Sequence, residues 1–319
     1  MKRDSVLIVG SGMMGSGIAA ICALAGEPAI LTDIDLPHAE AGALKAKGYV
    51  KELLDNGLTS KEAADAADSL ISTCGSIEEA LPKVNFAIEA INENMEAKQI
   101  LFKALDAGLP VEVPIASNTS GLRITEIAAL TKHPERTMTA HFWFPGHLVP
   151  LVEVVLSEHT DEKMALAVKD RLAAWGKAPV LVRQDLPGQL ANRILQAMIR
   201  EAVNIVDIGL ATPEDVDTAV KMGMGIRLPA WGILEHVDGV GVDLCRSVQN
   251  TVLPGISAAD GANPLFSEML AKGDLGYKSG RGFYDWSKKD MEALAAGRNN
   301  FIIQARKILQ SKGNKEEKK

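Results

Sequence analysis

Along the first half of the chain, short unbroken apolar runs alternate with longer stretches whose apolar residues recur at helical spacing. Residues 6–9 are apolar throughout, as a strand covered on both faces must be. They run into Gly10-Ser11-Gly12 and a small-residue helix over about 13–25, closed by Gly26. Ala29–Thr32 reads as a second strand ending at Asp33, and helical spacing follows to Asn56, where Gly57 stops it. Thr59 and Glu62 have the spacing of a capping box for a further helix. Val84–Glu89 and 113–116 are the next strands, with a helix over 93–107 between them. Thr137–Phe142 and Leu151–Leu156 read as paired strands, and a helix over 161–175 and a strand over 180–182 close this half.

The pattern changes after Asp185-Leu186-Pro187-Gly188. No strand pattern follows, only helical stretches near 189–209, 213–222, 229–237, 243–253, 263–272 and 288–310. Thr212-Pro213-Glu214-Asp215 is a strong helix start, with a cap, a proline in the first turn and acids behind it. Strand–helix alternation followed by helices alone predicts an α/β chain: a Rossmann-like dinucleotide-binding domain over 1–186, an all-α second domain over 187–310, and a solvated tail over 311–319. The cleft between the two domains is the expected place for ligands, with 185–188 as its hinge.

Composition narrows the function. With 47% hydrophobic and 24% charged residues, the 319-residue chain can bury an ordinary core. A net charge of −7 and the lack of a basic stripe argue against nucleic acid as partner. Three scattered cysteines give neither a disulfide framework nor a metal spacing, so no metal is expected and a reducing cytoplasm fits. The opening MKRDSVLIVG reads as a first strand rather than a signal segment, and no stretch has the length of a membrane span.

Gly10-x-Gly12-x-x-Gly15 follows a strand, opens a helix and precedes an acid, Asp33, at the end of the next strand. Gly10 permits the tight turn, Gly12 the approach of a pyrophosphate, and Gly15 close helix–strand packing. Met13 and Met14 fill the positions between, at the helix N-terminus whose free N–H groups suit phosphate. Asp33 can accept from both ribose hydroxyls and repels a 2′-phosphate, which favours NAD over NADP. Among the histidines, His141 stands out as a base: imidazole titrates near neutral pH, and Glu153, twelve residues on in the adjacent predicted strand, can orient it.

Glu89-Ala-Ile-Asn-Glu93-Asn-Met-Glu-Ala-Lys98, Ser117-Asn118-Thr119-Ser120, His141 in HFWFPGHLVPLVE, Asp185-Leu-Pro-Gly-Gln-Leu-Ala-Asn192-Arg193 and Leu275-Gly-Tyr-Lys278-Ser-Gly-Arg-Gly-Phe-Tyr-Asp-Trp286 together resemble the 3-hydroxyacyl-CoA dehydrogenase family. The motifs occur in family order from about residue 5 to 287. The resemblance implies NAD-dependent oxidation of a C3 hydroxyl by a His141/Glu153 dyad, with Ser120 and Asn192 on the substrate oxygen. It implies cofactor contacts at Glu93, Lys98 and Ser120, more loosely at Lys278, and a homodimer built on the helical domain.

Two departures bear on the substrate. Phe144-Pro145 stands where the family has Asn-Pro, so a nicotinamide contact is lost or supplied elsewhere. The stretch Gly223-Met-Gly225-Ile-Arg227-Leu-Pro resembles the branch acting on free 3-hydroxy acids, which includes L-gulonate 3-dehydrogenase, lambda-crystallin and carnitine 3-dehydrogenase. Arg227 is therefore a candidate carboxylate clamp. Lys45, Lys47 and Lys51 are equally candidates for a CoA phosphate, so acyl-CoA and free hydroxy acid both stay open. His147 is a possible substrate contact. A non-catalytic NAD(H)-binding crystallin-like or sensor protein is the alternative function, and a lysine-based hydroxyacid dehydrogenase a third reading.

Overall fold

The computed structural model describes residues 4–316. They contain eight strands: β1 Ser5–Val9, β2 Ala29–Thr32, β3 Ile71–Thr73, β4 Val84–Glu89, β5 Ile115–Ser117, β6 Thr137–Phe142, β7 Leu151–Leu156 and β8 Ala178–Val182. All eight join one sheet in the order β3-β2-β1-β4-β5-β6-β7-β8. Neighbours are parallel except β6 and β7, which pair antiparallel. Successive side chains of a strand point to opposite faces, and β1 illustrates the consequence. Val6 and Ile8 pack with Ile18, Ala19 and Cys22 of helix Met13–Leu24 on one face. Leu7 and Val9 pack with Phe102 and Leu105 of helix Met95–Gly108 on the other. Both faces of the sheet are covered, which is why the run carries no polar residue.

The chain divides into two units, 1–192 together with 302–319, and 193–301. The second contains no named strand, only isolated bridges at Gly276, Arg281 and Asp285. Its helices include Pro213–Ala219, Ile233–Val240, Val242–Val252 and Pro264–Lys272, with a π-helical stretch at Val220–Gly225. Thr212 caps the first of these as its sequence predicts, accepting from Asp215 N at 3.2 Å. The last helix, Met291–Glu316, runs beyond the residue-310 end expected for it, and from Ile302 it belongs to the first unit. There Ile303 is buried in the core. The last three positions of the expected tail lie outside the described residues.

Three local readings need correction. The cap before helix Lys61–Leu70 is Ser60, not Thr59: its Oγ accepts from Ala63 N at 3.1 Å, because a capping side chain must directly precede the first helical residue. Strand β3 is not predicted by the pattern. It has three residues with one buried, too short for a periodic signal. Strand β5 begins at Ile115 rather than 113, since Val113 packs in the core just ahead of the sheet. Among the described residues no helix is long and apolar enough to cross a membrane.

Candidate active site

The Gly-rich turn connects β1 to helix Met13–Leu24. Gly10 has φ +97°, and a Cβ there would lie 2.5 Å from Ala90 O; at Gly15 a Cβ would lie 1.8 Å from Gly10 O. These two glycines are demanded by the protein's own backbone. At Gly12 a Cβ would meet nothing within 4 Å, so the space over the helix N-terminus is open. The N–H groups of Met13 and Met14 belong to that first turn, where donors lack intrahelical partners. A pyrophosphate fits such a place.

Asp33 completes this end of the site. Its Oδ2 accepts from Ser11 N at 2.6 Å and Ser11 Oγ at 2.7 Å, and its Oδ1 from Ile34 N at 2.8 Å. Burial works against the charge, but these hydrogen bonds outweigh it and hold the carboxyl below the usual carboxylate range. Oδ1 keeps a lone pair for ribose hydroxyls. The set of residues fits NAD.

Between the cofactor turn and the catalytic pair lies a second organised segment, 117–121. Glu93 Oε1 accepts from Thr119 Oγ1 at 2.5 Å, Ser120 N at 3.1 Å and Gly121 N at 3.2 Å, which ties down the loop that presents Ser120. Lys98, expected as a direct cofactor contact, is only 1% exposed. Its Nζ lies 2.6 Å from Glu89 Oε1 and 3.3 Å from Glu93 Oε2, so it acts on the site by holding Glu93. Isolated burial of an ammonium is costly, and these two carboxylates are what permit it.

The candidate catalytic pair follows from register. Antiparallel pairing of β6 and β7 sets His141 directly opposite Glu153, and Nδ1 lies 2.7 Å from Oε2. Glu153 is fully buried and also accepts from Trp143 Nε1 at 2.9 Å and from Ala191 N at 2.7 Å. Burial alone would raise its pKa; the hydrogen bonds from His141, Trp143 and the Ala191 amide overcome that and lower it. An ionised Glu153 has no proton to give, so Nδ1 is the donor and Nε2 is left for chemistry.

His141 borders a cavity of about 320 Å³, also lined by Met14, Asn118, Ser120, Phe142, Trp143, Phe144 and Asn192. The Asn192 amide donates to Ser120 O at 3.2 Å, and Asn118 Oδ1 accepts from Phe142 N at 2.8 Å. Sequence reasoning places His141, Glu153, Ser120 and Asn192 together. It gives no role to Asn118 or Trp143.

His147 does not face this cavity. It is 2% exposed, stacked on Tyr49 at 3.9 Å, with Nε2 3.0 Å from Glu52 Oε2. Burial lowers its pKa. It joins the loop after β6 to helix Leu36–Asp55 and is unavailable to substrate. Lys47 and Lys51 are paired with Asp68 at 3.1 Å and Asp55 at 2.6 Å. Arg227 is exposed in a turn of the second unit, and Lys278 lines an apolar pocket of that unit with Phe266 and Phe283.

Comparison with known proteins identifies the family. The NAD-binding domain of 3-hydroxyacyl-CoA dehydrogenase matches residues 5–186, and the C-terminal domain of the same enzyme matches 188–286. A probable 3-hydroxybutyryl-CoA dehydrogenase of Bacillus subtilis is 38% identical, covering 91% of this chain and 99% of its own length. The 5-formyl-3-hydroxy-2-methylpyridine 4-carboxylate 5-dehydrogenase of Mesorhizobium japonicum is 30% identical, covering 97% and 99%. A crystal structure of an enzyme with that activity, described as an NAD+-dependent dismutase, superposes with a TM-score of 0.88 at 30% identity, covering 97% and 99%. The (S)-3-hydroxybutyryl-CoA dehydrogenase of Ralstonia eutropha superposes with a TM-score of 0.72 at 32% identity, covering 90% and 100%. The chain belongs to the 3-hydroxyacyl-CoA dehydrogenase family and is an NAD-dependent oxidoreductase.

Proposed function

We propose that this protein oxidises the C3 hydroxyl of a 3-hydroxyacyl substrate to the 3-keto compound, with His141 as general base. The observation that carries the reading is His141, held at 2.7 Å by Glu153 and bordering a cavity that Ser120 and Asn192 also line. His141 Nε2 takes the hydroxyl proton. Glu153 keeps the other nitrogen protonated and offsets the charge of the imidazolium. The Ser120 hydroxyl and the Asn192 amide donate to the substrate oxygen as it becomes a carbonyl. NAD, when bound, supplies the acceptor for the C3 hydride.

A ring-bearing free carboxylate is a second reading, favoured by Trp143 and Phe144 on the cavity wall. The Mesorhizobium japonicum relative, named for a formylpyridine carboxylate, supports it. The pairing of Lys47 and Lys51 with aspartates leaves them less suited to a CoA phosphate. NADH formation would be followed on 3-hydroxybutyryl-CoA, 3-hydroxybutyrate, L-gulonate, carnitine and the formylpyridine carboxylate, with NAD and NADP. Turnover of a free acid, with its KM raised about tenfold or more by Arg227→Ala, supports a carboxylate clamp. Turnover confined to the thioester removes Arg227 from the site. Silence across the panel with NADH still bound would favour the non-catalytic alternative.

We also propose a homodimer formed through residues 193–301. Among the described residues of that unit only Val203 is buried, while Ile208, Leu210, Met222, Ile226, Leu234 and Val242 are each more than 60% exposed. So much bared apolar surface marks an interaction face. Sedimentation equilibrium should give twice the chain mass at micromolar concentration; a monomer there would sink the idea.

A further inference from the structure

We propose that Trp143 is a positioning residue of the dyad: its indole N–H shares Glu153 Oε2 with His141 Nδ1 and limits how strongly that oxygen holds the imidazole. The inference rests on the dyad reading above. Trp143 Nε1 lies 2.9 Å and His141 Nδ1 2.7 Å from the same oxygen, while the Ala191 amide occupies the other at 2.7 Å. Because Glu153 is fully buried, solvent does not redistribute its charge, and three donors divide it among themselves. Two donors on one oxygen draw on the same electron density, so each weakens the other.

The surroundings leave Trp143 as the adjustable member of this set. Strand β8 places Val180 opposite Glu153. The cavity adds Asn118, Ser120 and Asn192, none of them charged. Among the described residues, the charge set against Glu153 is that of His141 when protonated. Ala191 contributes a backbone amide that no substitution there other than proline removes. Trp143 also lies beside the imidazole, with ring centroids 5.8 Å apart at 53°, and lines the cavity. One side chain therefore fixes the carboxylate and borders the cavity.

The test uses full-length protein loaded with NADH and proton NMR of the hydrogen on the His141–Glu153 bond. That resonance lies downfield of the amides and is assigned by its loss in His141→Ala and its upfield move in Glu153→Gln. Two altered proteins are compared with it: Trp143→Phe, and the chain carrying β-(benzothien-3-yl)alanine at position 143 alone, which keeps the indole shape without its N–H. The resonance is expected to move further downfield in both, as His141 gains the electron density Trp143 no longer shares. An unmoved resonance in the benzothienyl protein overturns the proposal, even if Trp143→Phe shifts it, since lost ring volume would then be the cause. The benzothienyl protein also decides the matter if Trp143→Phe fails to fold. A wild-type spectrum with no downfield resonance that His141→Ala removes and Glu153→Gln moves would instead overturn the dyad itself.

Discussion

Replacing His141 by alanine is expected to cut turnover about 10²–10⁴-fold, the usual contribution of a positioned general base, while NADH binds as it does to the unaltered protein. The split follows from the geometry. Nδ1 of His141 is committed to Glu153, so the ring's contribution to chemistry comes through Nε2 alone. The residues proposed for the phosphate and ribose ends of the cofactor, Gly10, Gly12, Gly15 and Asp33, lie after β1 and β2, and none is on β6. Fluorescence titration with NADH and steady-state rates on the substrate that turns over would be measured together. Turnover within tenfold of the unaltered protein would remove His141 from the reaction. A parallel loss of NADH affinity would mean that the substitution disturbs the site rather than its base. Glu153→Gln should fall in the same direction with a smaller loss, because an amide can still orient the ring but cannot offset an imidazolium.

The dyad is legible in the amino-acid sequence because strand pairing is a periodic property. The apolar patterns predict strands over Thr137–Phe142 and Leu151–Leu156, and the structure has them at those bounds. Placing His141 against Glu153 needs only that the two strands be antiparallel neighbours. The Gly-rich turn is legible for a related reason, since its chemistry lies in consecutive backbone. What sequence does not supply is the partner of a charged side chain. Lys98 is a helix lysine by pattern, yet it is buried between Glu89 and Glu93 on the preceding strand and turn. His147 stands six residues after the base, and its partner Glu52 is 95 positions away. Trp143 gives no such signal because its role depends on an oxygen across the hairpin, not on any neighbour in the chain. Of the two three-residue strands, β5 is buried throughout and shows as an apolar run, whereas β3 buries only Ile71 and gives no pattern.

The two inner glycines of the cofactor turn should fail in different ways, and the contrast tests the cradle directly. Gly15→Ala puts a Cβ 1.8 Å from Gly10 O, a contact that backbone must move to relieve. Overpacking of this kind costs about 3 kcal/mol or more, which for a domain of this size lowers Tm by roughly 6–12 °C. The loss should appear in the protein without cofactor. Gly12→Ser meets no protein atom within 4 Å. The position has φ −63° and ψ −165°, which any residue adopts, and serine is a favourable helix cap. The stability of the cofactor-free protein should therefore hold. The added side chain occupies the space in which a pyrophosphate approaches the helix N-terminus. Losing one charge-assisted hydrogen bond there, worth about 1.5–3 kcal/mol, weakens NADH binding by about 10–100-fold. Thermal unfolding without cofactor and NADH titration separate the two effects. If Gly12→Ser lowered Tm as Gly15→Ala does and left the affinity intact, the turn would be a packing device and the dinucleotide would have to lie elsewhere. If each substitution fails in its own assay, Gly15 serves the fold and Gly12 serves the ligand, the division that the motif predicts.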